Sequence, residues 1–159
     1  MNNQPEFHTV RGYELLEQHK KHLTPAMEDY LEMIYRSGIY GDIVMISTLS
    51  ENLNVRPPSV TKMVQKLAVL GMINYKKYDN VILSETGFEL AKYLFERHDI
   101  VELFLKNIGV DDNLFVETEL IEHNISKTTL NRFIEFNSYF AKNPHLLTEL
   151  NNNNNNEIT

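Results

Sequence analysis

The chain has 159 residues, with 22 acidic side chains against 15 basic ones and a formal net charge of −7. It contains no cysteine, which excludes disulfides, thiolate nucleophiles and cysteine-held zinc or iron–sulfur sites. With 42% apolar residues it can fold as one domain or two small ones. Its apolar runs are too short to span a bilayer and the N-terminal stretch lacks the apolar centre of a secretion signal, so no membrane partner and a cytoplasmic location are expected.

The elements are predicted in chain order as follows. Residues 1–22 form an N-terminal extension with one short amphipathic helix over Tyr13 to His19. Thr24-Pro25 reads as a cap followed by proline at the first helical position, and Met27, Tyr30, Leu31, Ile34 and Tyr35 repeat at helical spacing until Gly38 stops the run. A second helix fits Ile46 to Leu53, with Ser47 as its cap. Asn54 to Pro58 breaks it, and a third helix runs from about Pro58 to Leu70, burying Val60, Val64 and Leu67 before Gly71.

Two short β-like runs, Met72 to Tyr75 and Asn80 to Leu83, flank the polar tip Lys76-Lys77-Tyr78-Asp79 and predict a hairpin. A long helix then runs from Ser84 to about Asn107, ending at Gly109. Two more fit Val116 to Asn124 and Ser126 to Tyr139, the last opened by a serine cap. The six asparagines from Asn151 to Asn156 predict a disordered tail over residues 146–159.

Charge is segregated along this series. No acid lies between Glu51 and Asp79, a stretch that carries Arg56, Lys62, Lys66, Lys76 and Lys77, whereas the segment from His98 to His123 holds seven acids and one lysine. The net charge argues against a nucleic-acid partner, but such a chain is judged by segment. Helix, short helix, turn, helix and hairpin in that order describe a winged helix-turn-helix, whose second helix enters the DNA major groove. Arg56, Ser59, Thr61, Lys62, Gln65 and Lys66 lie on or just before that helix, and Lys76 and Lys77 sit at the wing tip. Hydroxyl and amide groups can read base edges and lysines can neutralise phosphates. The competing reading is an amphipathic helix with ordinary surface lysines.

In the acidic part of the chain, Glu119, Glu122 and His123 share one helix face, as do Asp29 and Glu32 on the first helix of the DNA-reading segment. His98 lies among apolar residues of the long helix. Four carboxylates and two imidazoles suit one or two divalent cations. Spacing alone leaves two other readings open: solvated acidic faces and a satisfied core histidine. His8, His19, His22 and His145 fall in polar or terminal stretches and receive no role.

The blocks TPAMEDYLEMIY, RPPSVTKMVQKL, ERHDIVELFLKNIGVD and ETELIEHNIS, taken together and in register over residues 23–140, resemble the DtxR/MntR family of metal-dependent repressors. The resemblance implies a mainly α protein: an N-terminal winged helix-turn-helix over 23–90 and an all-helical metal-binding and dimerisation domain over 91–145. It further implies a homodimer that binds palindromic double-stranded operator DNA when charged with metal. The metal-ligand set it implies is Asp29, Glu32, His98, Glu119, Glu122 and His123.

Iron-responsive members place methionine and cysteine where Asp29 and Glu119 stand, so the resemblance is greater to the manganese-responsive branch. One or two Mn²⁺ per subunit are therefore expected, with Fe²⁺ or Zn²⁺ as alternatives in vitro, and the function expected is repression of metal-uptake genes. The alternatives are an iron- or zinc-responsive repressor of the same family or, in another class, a helical carboxylate metalloenzyme. The Glu-x-x-His motif of di-iron bundles is absent at both His98 and His123, because Phe95 and Leu120 stand three residues before them.

Overall fold

Seven principal helices and one two-stranded hairpin make up the computed structural model, which describes residues 9–19, 21–41, 43–75 and 80–149. They run α1 (Thr9–His19), α2 (Pro25–Ile39), α3 (Ile46–Asn52), α4 (Pro57–Val69), β1 (Ile73–Asn74), β2 (Ile82–Leu83), α5 (Glu85–Asn107), α6 (Leu114–Glu122) and α7 (Lys127–Lys142). The chain divides into two compact units, Met1–Phe95 and Glu96–Thr159, with the division falling inside α5. Among the described residues no helix is long and apolar enough to cross a membrane.

In the first unit the core is built from one stripe of each helix: Leu31 of α2, Leu49 of α3, Val60, Val64 and Leu67 of α4, and Leu90, Ala91 and Leu94 of α5 are all fully buried. α2 opens as its sequence demands, with the Thr24 hydroxyl accepting from Met27 N at 3.4 Å and Pro25 at the first position. Its end differs from the expectation. Gly38 lies inside the helix, which continues to Ile39, and Gly41, at φ +80°, takes the left-handed position that follows. Gly38 keeps helical geometry because the chain's demand for positive φ falls three residues later.

The turn between α3 and α4 is held by Ser50, whose hydroxyl donates to the Val55 carbonyl at 2.6 Å while Val55 N donates to the Ser50 carbonyl at 3.0 Å. Ser47 does not cap α3: the cap position is Met45, without a side-chain bond, and Ser47 lies inside the helix. The strands pair antiparallel with Ile73 opposite Leu83 and Asn74 opposite Ile82, and Val81 N donates to the Val44 carbonyl at 2.8 Å, which pins the hairpin to the segment before α3. Its tip, with Lys76 and Lys77, lies outside the described residues, as does the asparagine run, while residues 146–149 of the expected disordered tail are helical because a further helical turn starts at Pro144.

α5 starts at a close backbone crossing. Ser84 Oγ donates to the Gly71 carbonyl at 2.6 Å and accepts from Gly87 N at 3.0 Å. A Cβ on Gly87 would lie 1.8 Å from the Met72 carbonyl oxygen, so only glycine fits there.

The second unit packs the end of α5 against α6 and α7. Val101 and Leu105 of α5 and Leu130 of α7 are buried, and the Phe104 and Phe133 rings stack at 3.9 Å. Buried Asn137 is satisfied on both sides, donating to the Ile100 carbonyl at 3.0 Å and accepting from Asn107 Nδ2 at 2.9 Å. α7 has the expected Ser126 cap, accepting from Thr129 N at 3.2 Å. α6 begins at Leu114, two residues before the expected start, because Asn113 turns into the helix at φ +57°, a conformation asparagine tolerates well.

Candidate metal centre and nucleic-acid interface

Four of the six expected metal ligands meet in the second unit. His98 comes from the face of α5 that also carries Val101 and Leu105, Glu119 and Glu122 come from one face of α6, and His123 caps the C-terminal end of α6. His98 and Glu122 are almost completely buried, at 2% and 1% exposure. His98 Nδ1 lies 3.3 Å from Glu122 Oε1 and 3.5 Å from Glu119 Oε1, while His123 Nε2 lies 3.8 Å from both Glu119 Oε2 and Glu122 Oε1. Two imidazoles thus flank two carboxylates.

Two neighbours absent from the expected set complete this arrangement. Glu102, one turn after His98 on α5, places Oε2 3.4 Å from His98 Nε2. Both ring nitrogens of His98 therefore face carboxylates, Nε2 that of Glu102 and Nδ1 those of Glu119 and Glu122. Arg97 places Nη2 3.2 Å from His123 Nδ1 and Nε 3.7 Å from Glu122 Oε2, and it is itself buried. A guanidinium only donates, so when the His123 ring is neutral its Nδ1 accepts and its proton sits on Nε2, toward the carboxylates. The i, i+4 spacing from His98 could have signalled Glu102. Nothing in the sequence signalled Arg97, whose partners are more than twenty residues away along the chain.

The His123 ring N–H beside Glu119 holds its carboxyl below the ordinary value of 4.5; the charges of His98 and His123 reinforce this and partial burial opposes it. Glu122 Oε2 is buried and accepts no hydrogen bond. That oxygen faces the buried Arg97 guanidinium at 3.7 Å, while Oε1 faces the two imidazoles. The donors, carboxylate oxygens and imidazole nitrogens with no sulfur, fit a hard to borderline divalent metal.

Asp29 and Glu32 stand on α2 of the first unit, one turn apart on the same face. Glu32 Oε1 accepts from Arg36 Nη2 at 2.7 Å, and the Arg36 guanidinium lies 5.2 Å from the centre of the Phe95 ring.

The expected DNA-reading residues also lie in this unit. Arg56 occupies the cap of α4, and Arg56, Ser59, Lys62, Gln65 and Lys66 are exposed, while Val60, Val64 and Leu67 are wholly buried on the opposite side. Thr61 is half-buried and its hydroxyl donates back to the Pro57 carbonyl at 3.0 Å, so only its lone pairs remain for a partner. Pro57 at the first helical position costs α4 no hydrogen bond and leaves this face free of acids.

Residues 22–81 match the family model of the iron dependent repressor, N-terminal DNA binding domain, and residues 84–150 match that of the iron dependent repressor, metal binding and dimerisation domain. An HTH-type transcriptional regulator MntR from Lysinibacillus sphaericus (strain C3-41) is 38% identical over 128 residues, covering 80% of this chain and 92% of its own. The protein of that name from Shouchella clausii (strain KSM-K16) is 40% identical over 128 residues, 80% of this chain and 90% of its own. Among solved structures, that of the manganese regulator SloR superposes with a TM-score of 0.64 at 30% identity over 74% of this chain and 55% of its own. The chain therefore spans about half of that longer protein but nearly all of the MntR relatives. Two family models in sequence, with a helix-turn-helix and hairpin under the first and a buried carboxylate–imidazole cluster under the second, place this chain in the iron-dependent repressor (DtxR/MntR) family of metal-binding, DNA-binding transcriptional regulators, which are not enzymes.

Proposed function

We propose that the protein is a manganese-responsive homodimeric repressor that binds a palindromic operator at metal-uptake genes in the cytoplasm. The observation that carries this reading is the sulfur-free cluster of His98, Glu119, Glu122 and His123, two of them almost wholly buried, in the metal-binding half of the chain. The relatives named MntR and the manganese regulator structure support the choice of metal. Mn²⁺ stands at the weak end of the divalent affinity series, so selection rests on ligand hardness and geometry, and Asp29 and Glu119 supply oxygen where sulfur would favour softer ions.

Asp29 and Glu32 complete the ligand set from the DNA-binding domain, 23–90, and the other four belong to the metal-binding and dimerisation domain, 91–145. When bound, the cation supplies the positive charge that cancels the mutual repulsion of four carboxylates. Ligation by residues of both domains ties the reading helix α4 to the dimer, and the two copies of α4 are then held near one helical repeat of DNA, about 34 Å apart. Arg56, Ser59, Thr61, Lys62, Gln65 and Lys66 face the major groove and Lys76 and Lys77 the flanking backbone. Exposed Val116 and Leu120 of α6, with Leu103 of α5, offer the apolar surface for the second subunit.

The test is selection of bound sequences from a random duplex pool at fixed salt, with Mn²⁺ and in parallel with chelator. Enrichment of a palindrome with Mn²⁺ alone is expected. Equal enrichment in both arms would remove the metal switch, and enrichment with Fe²⁺ or Zn²⁺ but not Mn²⁺ would reassign the metal.

A further inference from the structure

We propose that the turn between α1 and α2 is a second, phosphate-binding part of the DNA interface, in which Lys21 and His22 extend the cationic surface of α4. The inference deepens the reading of the chain as a metal-responsive DNA-binding regulator and rests on it. α1 precedes the DNA-binding domain match, which begins at residue 22, so this element is an addition to the family's core.

The turn is held in place by its two neighbours. Gly12 of α1 is buried so close to α5 that an added Cβ would lie 2.3 Å from Tyr93 Cβ, and the Tyr13 ring meets the Tyr93 ring edge-on at 6.2 Å. After α1, the His19 carbonyl accepts from both His22 N, at 2.7 Å, and Leu23 N, at 2.9 Å. Leu23 is buried and Thr24 caps α2, so both ends of the turn are anchored, while Lys21 and His22 are exposed.

His22 shares an open pocket of about 450 Å³ with Met27 of α2 and with Lys62, Gln65, Lys66 and Val69 of α4. None of the residues lining it is acidic. Three of the side chains expected to meet DNA therefore border the same surface as His22, which exposed Lys21 precedes in the chain. A duplex lying on α4 carries a phosphate every few ångströms along each strand, and an exposed lysine next to the anchored His22 and Leu23 can neutralise one.

The experiment measures the salt dependence of binding to the Mn²⁺-selected operator between about 50 and 200 mM salt, with Mn²⁺ present. The double variant Lys21→Ala/His22→Ala is compared with Lys21→Arg and with Lys142→Ala, which removes a charge from exposed α7. The slope of log K against log salt is expected to fall by about 0.9 per lost phosphate contact, so nearly two per dimer for Lys21. The loss should be equal on specific and non-specific duplex, with manganese dependence intact, a wild-type slope for Lys21→Arg and no change for Lys142→Ala. A double variant with the wild-type slope overturns the inference and leaves the metal-gated regulator standing. Wild-type protein that binds no duplex in the presence of Mn²⁺ overturns that underlying reading and the inference with it.

Discussion

Glu122 concentrates the chemistry of the second unit in one side chain: it is buried, faces His98 and His123, and keeps one oxygen without a hydrogen bond beside Arg97. Glu122→Gln preserves its shape and removes its charge. The variant should remain a folded dimer and lose the manganese-induced gain in operator affinity, which for such coupling is typically about 5–150-fold. Fluorescence anisotropy titrations with and without Mn²⁺ measure it. Glu119 makes a pH prediction. Its carboxyl titrates below 4.5 in the folded protein, so its contribution to metal-free stability is present above that value and is lost as pH falls through the lowered one. Denaturant melts of metal-free Glu119→Gln should show less acid destabilisation than the wild type over that range. Gly87 is a purely steric case: Gly87→Ala forces α5 away from the Met72 carbonyl and should cost about 1–3 kcal/mol, read as a lower urea midpoint.

At the scale of elements, α4 joins two demands on one helix. Val60, Val64 and Leu67 anchor it in the core, and Ser59, Lys62, Gln65 and Lys66 are displayed on its other side. Leu67→Ala should therefore lower stability by about 2–5 kcal/mol by thermal unfolding, while the contact surface is chemically unchanged. Helical spacing made both faces of α4 legible, because the period of the apolar residues is a local property. Element ends were less legible. Gly38 and Ser47 have the composition of a stop and a cap, yet both lie inside helices, since a glycine or serine marks an end only where the following chain turns away. Asn113 opens α6 through a backbone angle that its residue type permits and does not announce.

For the whole molecule the test is assembly. Val116 and Leu120 project apolar surface from the dimerisation half, and Val116→Glu/Leu120→Glu should shift the protein toward monomer in sedimentation and weaken operator binding, because one copy reads only a half-site. Metal removal by chelator should release the operator without unfolding either unit. Thermodynamic linkage demands the converse as well: the operator must tighten Mn²⁺ binding by the factor with which Mn²⁺ tightens operator binding.

The sequence by itself determined what is local or periodic. It showed the helix-turn-helix order, the buried stripe of α4, the Ser126 cap, the uneven charge, and the residue types of the metal cluster within recognisable family blocks. Only the tertiary structure decided which groups meet across separate elements. It set Arg97 between His123 and Glu122, put Glu102 behind His98, left Glu122 Oε2 without a hydrogen bond, and gave His22, of a segment with no assigned role, a place on the same open pocket as Lys62, Gln65 and Lys66. The reason is physical. Periodicity and capping act over a few residues, whereas burial, hydrogen-bond partners and shared surfaces come from the packing of elements distant in the chain.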